Sequence, residues 1–128
     1  MGLEVQLLLI IMNNLTLHDL KTANKNTLEE VYVLNQDLIP MLGSLDSSSE
    51  LKTLVDESSN SFYIEKKGKL AAFILCFREN SEYRSLNYRH FDHKYEKFLY
   101  IDRVGVSKTH INKGIGTYLY KHIFNIND

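Results

Sequence analysis

The chain has 128 residues, 44% of them hydrophobic and 24% charged, with fifteen Lys and Arg against sixteen Asp and Glu. That length suits one domain with its own core, and the composition excludes disorder along most of it. A formal net charge of −1 supplies no global field toward nucleic acid or an anionic membrane, so any basic site is local.

Cys76 is the single cysteine, which rules out a disulfide framework within the chain; in the apolar run 70–77 it reads as a small core residue. Residues 5–12 are apolar apart from Gln6, too few to span a bilayer. Glu4 stands where a signal peptide carries a basic flank, so the cytoplasm is the expected location. The domain pattern begins at Asn13-Asn14-Leu15, which makes Met12 the expected start, residues 1–11 an extension and 12–128 a single domain.

Leu15, Leu17 and Leu20 alternate with polar residues and predict a short strand over 15–20. Thr27 with Glu30 reads as a capping box opening a first helix, with Leu28, Val31, Tyr32 and Leu34 or Asn35 on its apolar stripe. Pro40 ends or restarts that helix, and a second follows over 48–57 with Leu51, Leu54 and Val55 inward. The period then changes. Strands over 62–65 and 70–77 flank Lys66-Lys67-Gly68-Lys69, which is a hairpin signal. The second strand is apolar without a break, as in a central strand covered on both faces.

Residues 78–97 read as a long loop containing Tyr83, Tyr88, Phe91 and Tyr95. Two readings stay open, a loop packing its own aromatics and a substrate-contacting segment. His90 and His93 lack the further ligands that complete a tetrahedral set, so no metal is expected. A last strand over 98–106 carries Asp102 and Arg103 in its middle. Strand alternation places adjacent side chains on opposite faces, so these two are not expected to pair with each other.

After that strand come Lys113-Gly114-Ile115-Gly116 and a run in which Ile115, Leu119, Ile123 and Ile126 share one helix face, with Tyr118, Lys121 and His122 mostly elsewhere. A glycine turn leading into a helix start lets backbone N–H groups approach an anion, and a phosphate fits there. Plain turn glycines are the alternative.

The stretch 98–106 with Lys113-Gly-Ile-Gly-Thr-Tyr-Leu119, preceded by the hairpin and two early helices, resembles the GNAT superfamily of acyl-CoA-dependent N-acetyltransferases over about residues 14–124. Within it, the chain is similar to a bacterial branch of predicted acetyltransferases. The resemblance implies an α/β fold, a mixed sheet with helices on both faces, that lacks the family's last strand and helix. It implies acetyl-CoA as co-substrate. Val104, Gly105 and Val106 would offer backbone groups to the pantetheine arm, and Ile111, Asn112, Lys113, Gly114, Ile115, Gly116 and Thr117 would wrap the pyrophosphate.

Two positions depart from the family pattern: Ile111 stands where Arg or Gln is usual, and Asn112 where a glycine is common. Asp102 is the candidate base, acting through water on the amine; the alternative is an ion pair with Arg103 or another loop cation. Cys76 as acyl-accepting nucleophile is weaker than core packing, since no His or Asp lies beside it. The implied function is transfer of an acetyl group to a primary amine of a small molecule or peptide, impaired by the missing segment. The alternative is an inactive CoA-binding fragment or a remnant needing a partner. Neither nucleic acid nor membrane is an expected partner, whereas self-association through an uncovered sheet edge is.

Overall fold

The computed structural model describes residues 15–111 and 114–127. The expected extension over 1–11 lies outside them, as do Asn112 and Lys113. Four strands, β1 (Leu15–Asp19), β2 (Asn60–Lys66), β3 (Lys69–Arg78) and β4 (Leu99–Val106), form a sheet in the order β1-β2-β3-β4. Four helices accompany them: α1 (Lys25–Asp37), α2 (Ser48–Glu57), α3 (Leu86–Lys94) and α4 (Ile115–Asn127). The expected mixed sheet is antiparallel throughout its described strands.

The hairpin between β2 and β3 turns on Lys67 and Gly68, both with positive φ (52° and 78°), the backbone of a two-residue turn that matches strand twist. β3 is buried from Ala71 to Phe77. Its alternate residues feed two cores. Ala72, Ile74 and Cys76 join Leu15, Ile64, Ile115, Leu119 and Ile123 on the α4 side. Phe73, Leu75 and Phe77 join Leu28, Val31, Leu51, Leu54 and Val55 on the α1 and α2 side. Each face contributes through the hydrophobic effect, so neither helix layer can be lost without exposing the central strand.

Three local expectations need correction. The cap of α1 is Asn24, whose side chain accepts from Thr27 N at 2.9 Å, so the helix starts earlier than a Thr27 cap would place it. Residues 78–97 are not loop throughout, because α3 lies within them, capped by Ser85. Its sequence includes one Asn, one Tyr and two His, which are middling helix formers, and only Tyr88 is buried. Tyr88 supplies the tertiary anchor: its hydroxyl donates to Arg78 O and accepts from Ser81 N, while its ring packs among Phe77, Tyr83, Phe98 and Tyr100. On α4, finally, the buried face is wider than the isoleucine and leucine stripe, since Tyr118 and His122 are buried too.

His122 is 6% exposed, its Nδ1 has no hydrogen-bond partner among the described residues, and the ring meets Phe62 edge-on at 4.8 Å. Burial holds its pKa below the ordinary 6.5. Above that value both folded and unfolded chains carry the neutral ring. As pH falls through it the unfolded chain binds a proton that the folded chain resists, so stability is lost down to the folded value. The urea midpoint is therefore expected to drop as pH falls below the ordinary 6.5, and His122→Phe should make that drop shallower. An unchanged slope in the variant would show that other groups cause the loss.

Candidate active site

β4 and the N-terminus of α4 meet at the candidate site. Opposite β4, Leu75 pairs with Arg103 and Cys76 with Ile101, so Asp102 is an extra residue in the ladder, a β-bulge. The bulge changes which residues face where. Leu99 and Ile101 pack toward the α4 side before it, and Val104 and Val106 do so after it. Asp102 and Arg103 consequently share the opposite face, and they pair directly: Arg103 Nε lies 2.8 Å from Asp102 Oδ2. This corrects the expectation from strand alternation, which holds only for an unbroken ladder.

The pair is nearly buried, with side chains 10% and 7% exposed, and it is bonded on both sides. Tyr83 Oη donates to Asp102 Oδ1 at 2.7 Å. Arg103 Nη1 donates to Asn35 Oδ1 at 2.9 Å and to Gly43 O at 3.1 Å, and Asn35 Nδ2 donates to the same Gly43 O. Burial, and next the hydrogen bond to Asp102, push the Tyr83 hydroxyl far above its usual pKa, so it stays a donor. Of these partners Gly43 had no signal in sequence, and Tyr83 had only its place among the aromatics of residues 78–97. Asn35 had one, a polar residue at a stripe position of α1, fully buried here.

Beyond Val106 the chain runs along β3 for one more bond, Ser107 N to Ala71 O at 2.8 Å, and turns with His110 N on Ser107 O. Gly114 has φ +78°, a conformation that suits glycine. Its carbonyl accepts from Tyr118 N at 3.0 Å, so the N–H groups of Ile115, Gly116 and Thr117 open the helix without intrahelical partners. Ile115 turns its side chain into the core, while Thr117 is exposed and Ile111 is 53% exposed. Among the described residues a Cβ on Gly116 would meet Val106 Cγ2 at 3.9 Å, ordinary contact. The described packing does not require a glycine there, beside N–H groups at the positive end of a helix dipole.

Gly105 differs. A Cβ there would lie 2.6 Å from Phe73 Cε1 and 2.9 Å from Leu38 Cδ1, so its lack of a side chain answers to packing against the α1 side. Cys76 is buried and its thiol is pushed up to about 12, by burial first and then by Asp102, which suits core packing. His90 and His93 are exposed on α3. A cleft of about 770 Å³ opens between α1 and the hairpin turn, reaching Ser107, but Glu29, Glu30 and Asp37 outnumber Lys69 on its walls. Such a lining repels phosphate, which favours the α4 N-terminus as the anion site.

A family model for the acetyltransferase (GNAT) family matches residues 25–126. The chain belongs to the GNAT family. Among solved structures, this GNAT chain is similar to a possible acetyltransferase from Clostridium difficile 630, at 23% identity and a TM-score of 0.63, over 89% of this chain and 71% of that one. It is similar to the ribosomal-protein-S18-alanine N-acetyltransferase from Escherichia coli, at 16% identity and a TM-score of 0.59, over 87% of this chain and 57% of that one. Arabidopsis thaliana Naa50, in complex with the bisubstrate analogue CoA-Ac-MVNAL, gives 16% identity and a TM-score of 0.60, over 88% of this chain and 64% of that one. These likenesses establish the fold. No curated protein matches the chain.

Gly105→Ala tests the packing at the strand. The added methyl has to displace the buried Phe73 ring and Leu38, so a loss of about 1–3 kcal/mol in urea unfolding is expected. Wild-type stability would mean that β4 lies farther from α1 than the structure has it.

Proposed function

We propose that this GNAT domain takes acetyl-CoA as co-substrate and transfers its acetyl group to a primary amine of a small molecule or peptide. The observation that carries the proposal is the arrangement of β4, Gly114 with its positive φ, and the open first turn of α4 beside Gly116. Those N–H groups would hold the pyrophosphate, with Thr117 Oγ and Lys113 within the same stretch. The backbone of Val104, Gly105 and Val106 would pair with the amides of the pantetheine arm, as a strand pairs with an edge. The bisubstrate analogue bound by Naa50, which joins CoA to a peptide, supports a CoA reading for the same fold.

In the transfer the amine nitrogen bonds to the thioester carbonyl carbon, the carbon–sulfur bond breaks, and the proton lost by nitrogen balances the one gained by the thiolate. What the chain supplies is position and dipoles. Asp102, as base through water, is one reading of its role; it would have to act while accepting from Tyr83 and Arg103.

A second reading rests on the sheet edge. Among the described strands β4 pairs only with β3, so its outer edge offers backbone groups to a further strand or to a second copy of the chain, which would favour self-association.

Titration calorimetry with CoA tests the site. Gly116→Glu places a carboxylate where the phosphates would lie, yet acidic residues suit a helix's first turn, so the fold should survive while CoA binding is lost. Unchanged affinity would locate the site elsewhere. Ile111→Arg, at an exposed position, should tighten binding by about tenfold or more at low salt, since a charge-assisted phosphate contact contributes about 1.5–3 kcal/mol, and the gain should shrink as salt rises.

A further inference from the structure

We propose that Arg103 is a positioning residue, the centre of a latch that holds the bulged β4 in the register the pantetheine arm requires. The proposal rests on the CoA reading above and deepens it. A bulge interrupts the ladder, and a one-residue slip beside it would turn Val104 and Val106 to the wrong face and carry Gly105 out from under Leu38 and Leu42. Burial of the valines opposes such a slip, and bonds outside the ladder can hold the strand as well.

Four side chains do so, and they come from three places in the chain. Tyr83, stacked on Phe77 at 4.2 Å, holds Asp102 from the segment before α3. Asp102 fixes Arg103 Nε, and Arg103 reaches Asn35 on α1 and the carbonyl of Gly43 in the loop after it. That loop is bound in turn: Asn35 Nδ2 also donates to Gln36 Oε1, which accepts from Leu45 N at 3.0 Å. The planar guanidinium makes the connection, because one rigid fork addresses a carboxylate, an amide oxygen and a backbone carbonyl together. The latch begins one residue before Val104, so its loosening reaches the backbone that would line the arm, while the α4 N-terminus is held separately by the core around Ile115 and Leu119. Asp102 in this reading acts through Arg103, and its contribution is to position.

The test compares two ligands that share a pyrophosphate, CoA and ADP, of which only CoA carries the pantetheine arm. Arg103→Lys keeps the charge beside Asp102 but cannot bridge Asn35 and Gly43. Asp102→Asn with Arg103→Gln removes both charges together, so no carboxylate is left buried alone if either single change misfolds. Circular dichroism and thermal melting establish that each variant is folded, and calorimetry or ligand-observed NMR gives the affinities. Expected is a loss of about tenfold in CoA affinity with ADP unchanged within about twofold. Equal losses for both ligands would make Arg103 a general support of the fold and overturn the proposal. So would a folded variant that binds CoA as wild type does, or a wild-type chain that gains nothing from the pantetheine arm. If wild type binds neither ligand, the CoA reading itself fails, and the positioning role falls with it. That outcome is told apart because it shows before any substitution is made.

Discussion

The extra residue at Asp102 is the constraint on which the candidate site depends. Without it, β4 would alternate from Leu99 to Val106 in one phase, and its second half would turn its valines away from α4. With it, Leu99, Ile101, Val104 and Val106 all serve the α4-side core, and two charged residues are brought together on the other face. A nearly buried ion pair is weak as a source of net stability but costly to break, on the order of 3–5 kcal/mol when one partner is removed. Here every bonded neighbour of the pair belongs to a different part of the chain. The polar cluster therefore acts less as glue than as a selector among registers.

Hydrophobic burial does the larger part of the folding. β3, covered on both faces, forces helices to both sides of the sheet, and α4 can cover its own side only by starting close to the end of β4. The proximity of a helix N-terminus to a strand end is thus a by-product of core formation. What suits it to the proposed anion site is local: Gly114 takes a left-handed conformation where the helix begins, the first N–H groups lack intrahelical partners, and Gly116 adds no bulk beside them. Two glycines that look alike in sequence, Gly105 and Gly116, differ in cause. The first is hemmed in by Phe73 and Leu38, and the second would make only ordinary contact with Val106 among the described residues.

Structural relatives at 14–23% identity share this fold. At that distance the likeness conveys architecture, and the side chains have to speak for themselves. Ile111, exposed at 53% on the turn before α4, offers no charge to a phosphate, so the proposed cradle relies on backbone groups and the helix dipole. On the α1 side the carboxylates of Glu29, Glu30 and Asp37 set an opposite sign of potential, which separates the two faces electrostatically in a chain whose net charge is near zero.

Periodicity by itself determined where most elements lie. α2 was legible to its ends from Leu51, Leu54 and Val55, the hairpin from Lys67-Gly68, and the central strand from its unbroken apolar run, because burial of one face or both leaves a repeat in the sequence. The glycine turn into α4 was legible for the same local reason, since turn chemistry sits in adjacent residues. α3 was not, because its one buried residue, Tyr88, is held by Arg78, Ser81 and aromatics brought from β3 and β4. Nor was the direct pairing of Asp102 with Arg103, which needs the bulge, and a bulge is a relation between two strands. Asn35, Tyr83 and Gly43 meet that pair from distant points of the chain. Only the tertiary structure could decide that, since hydrogen bonds across such separations leave no period in a sequence.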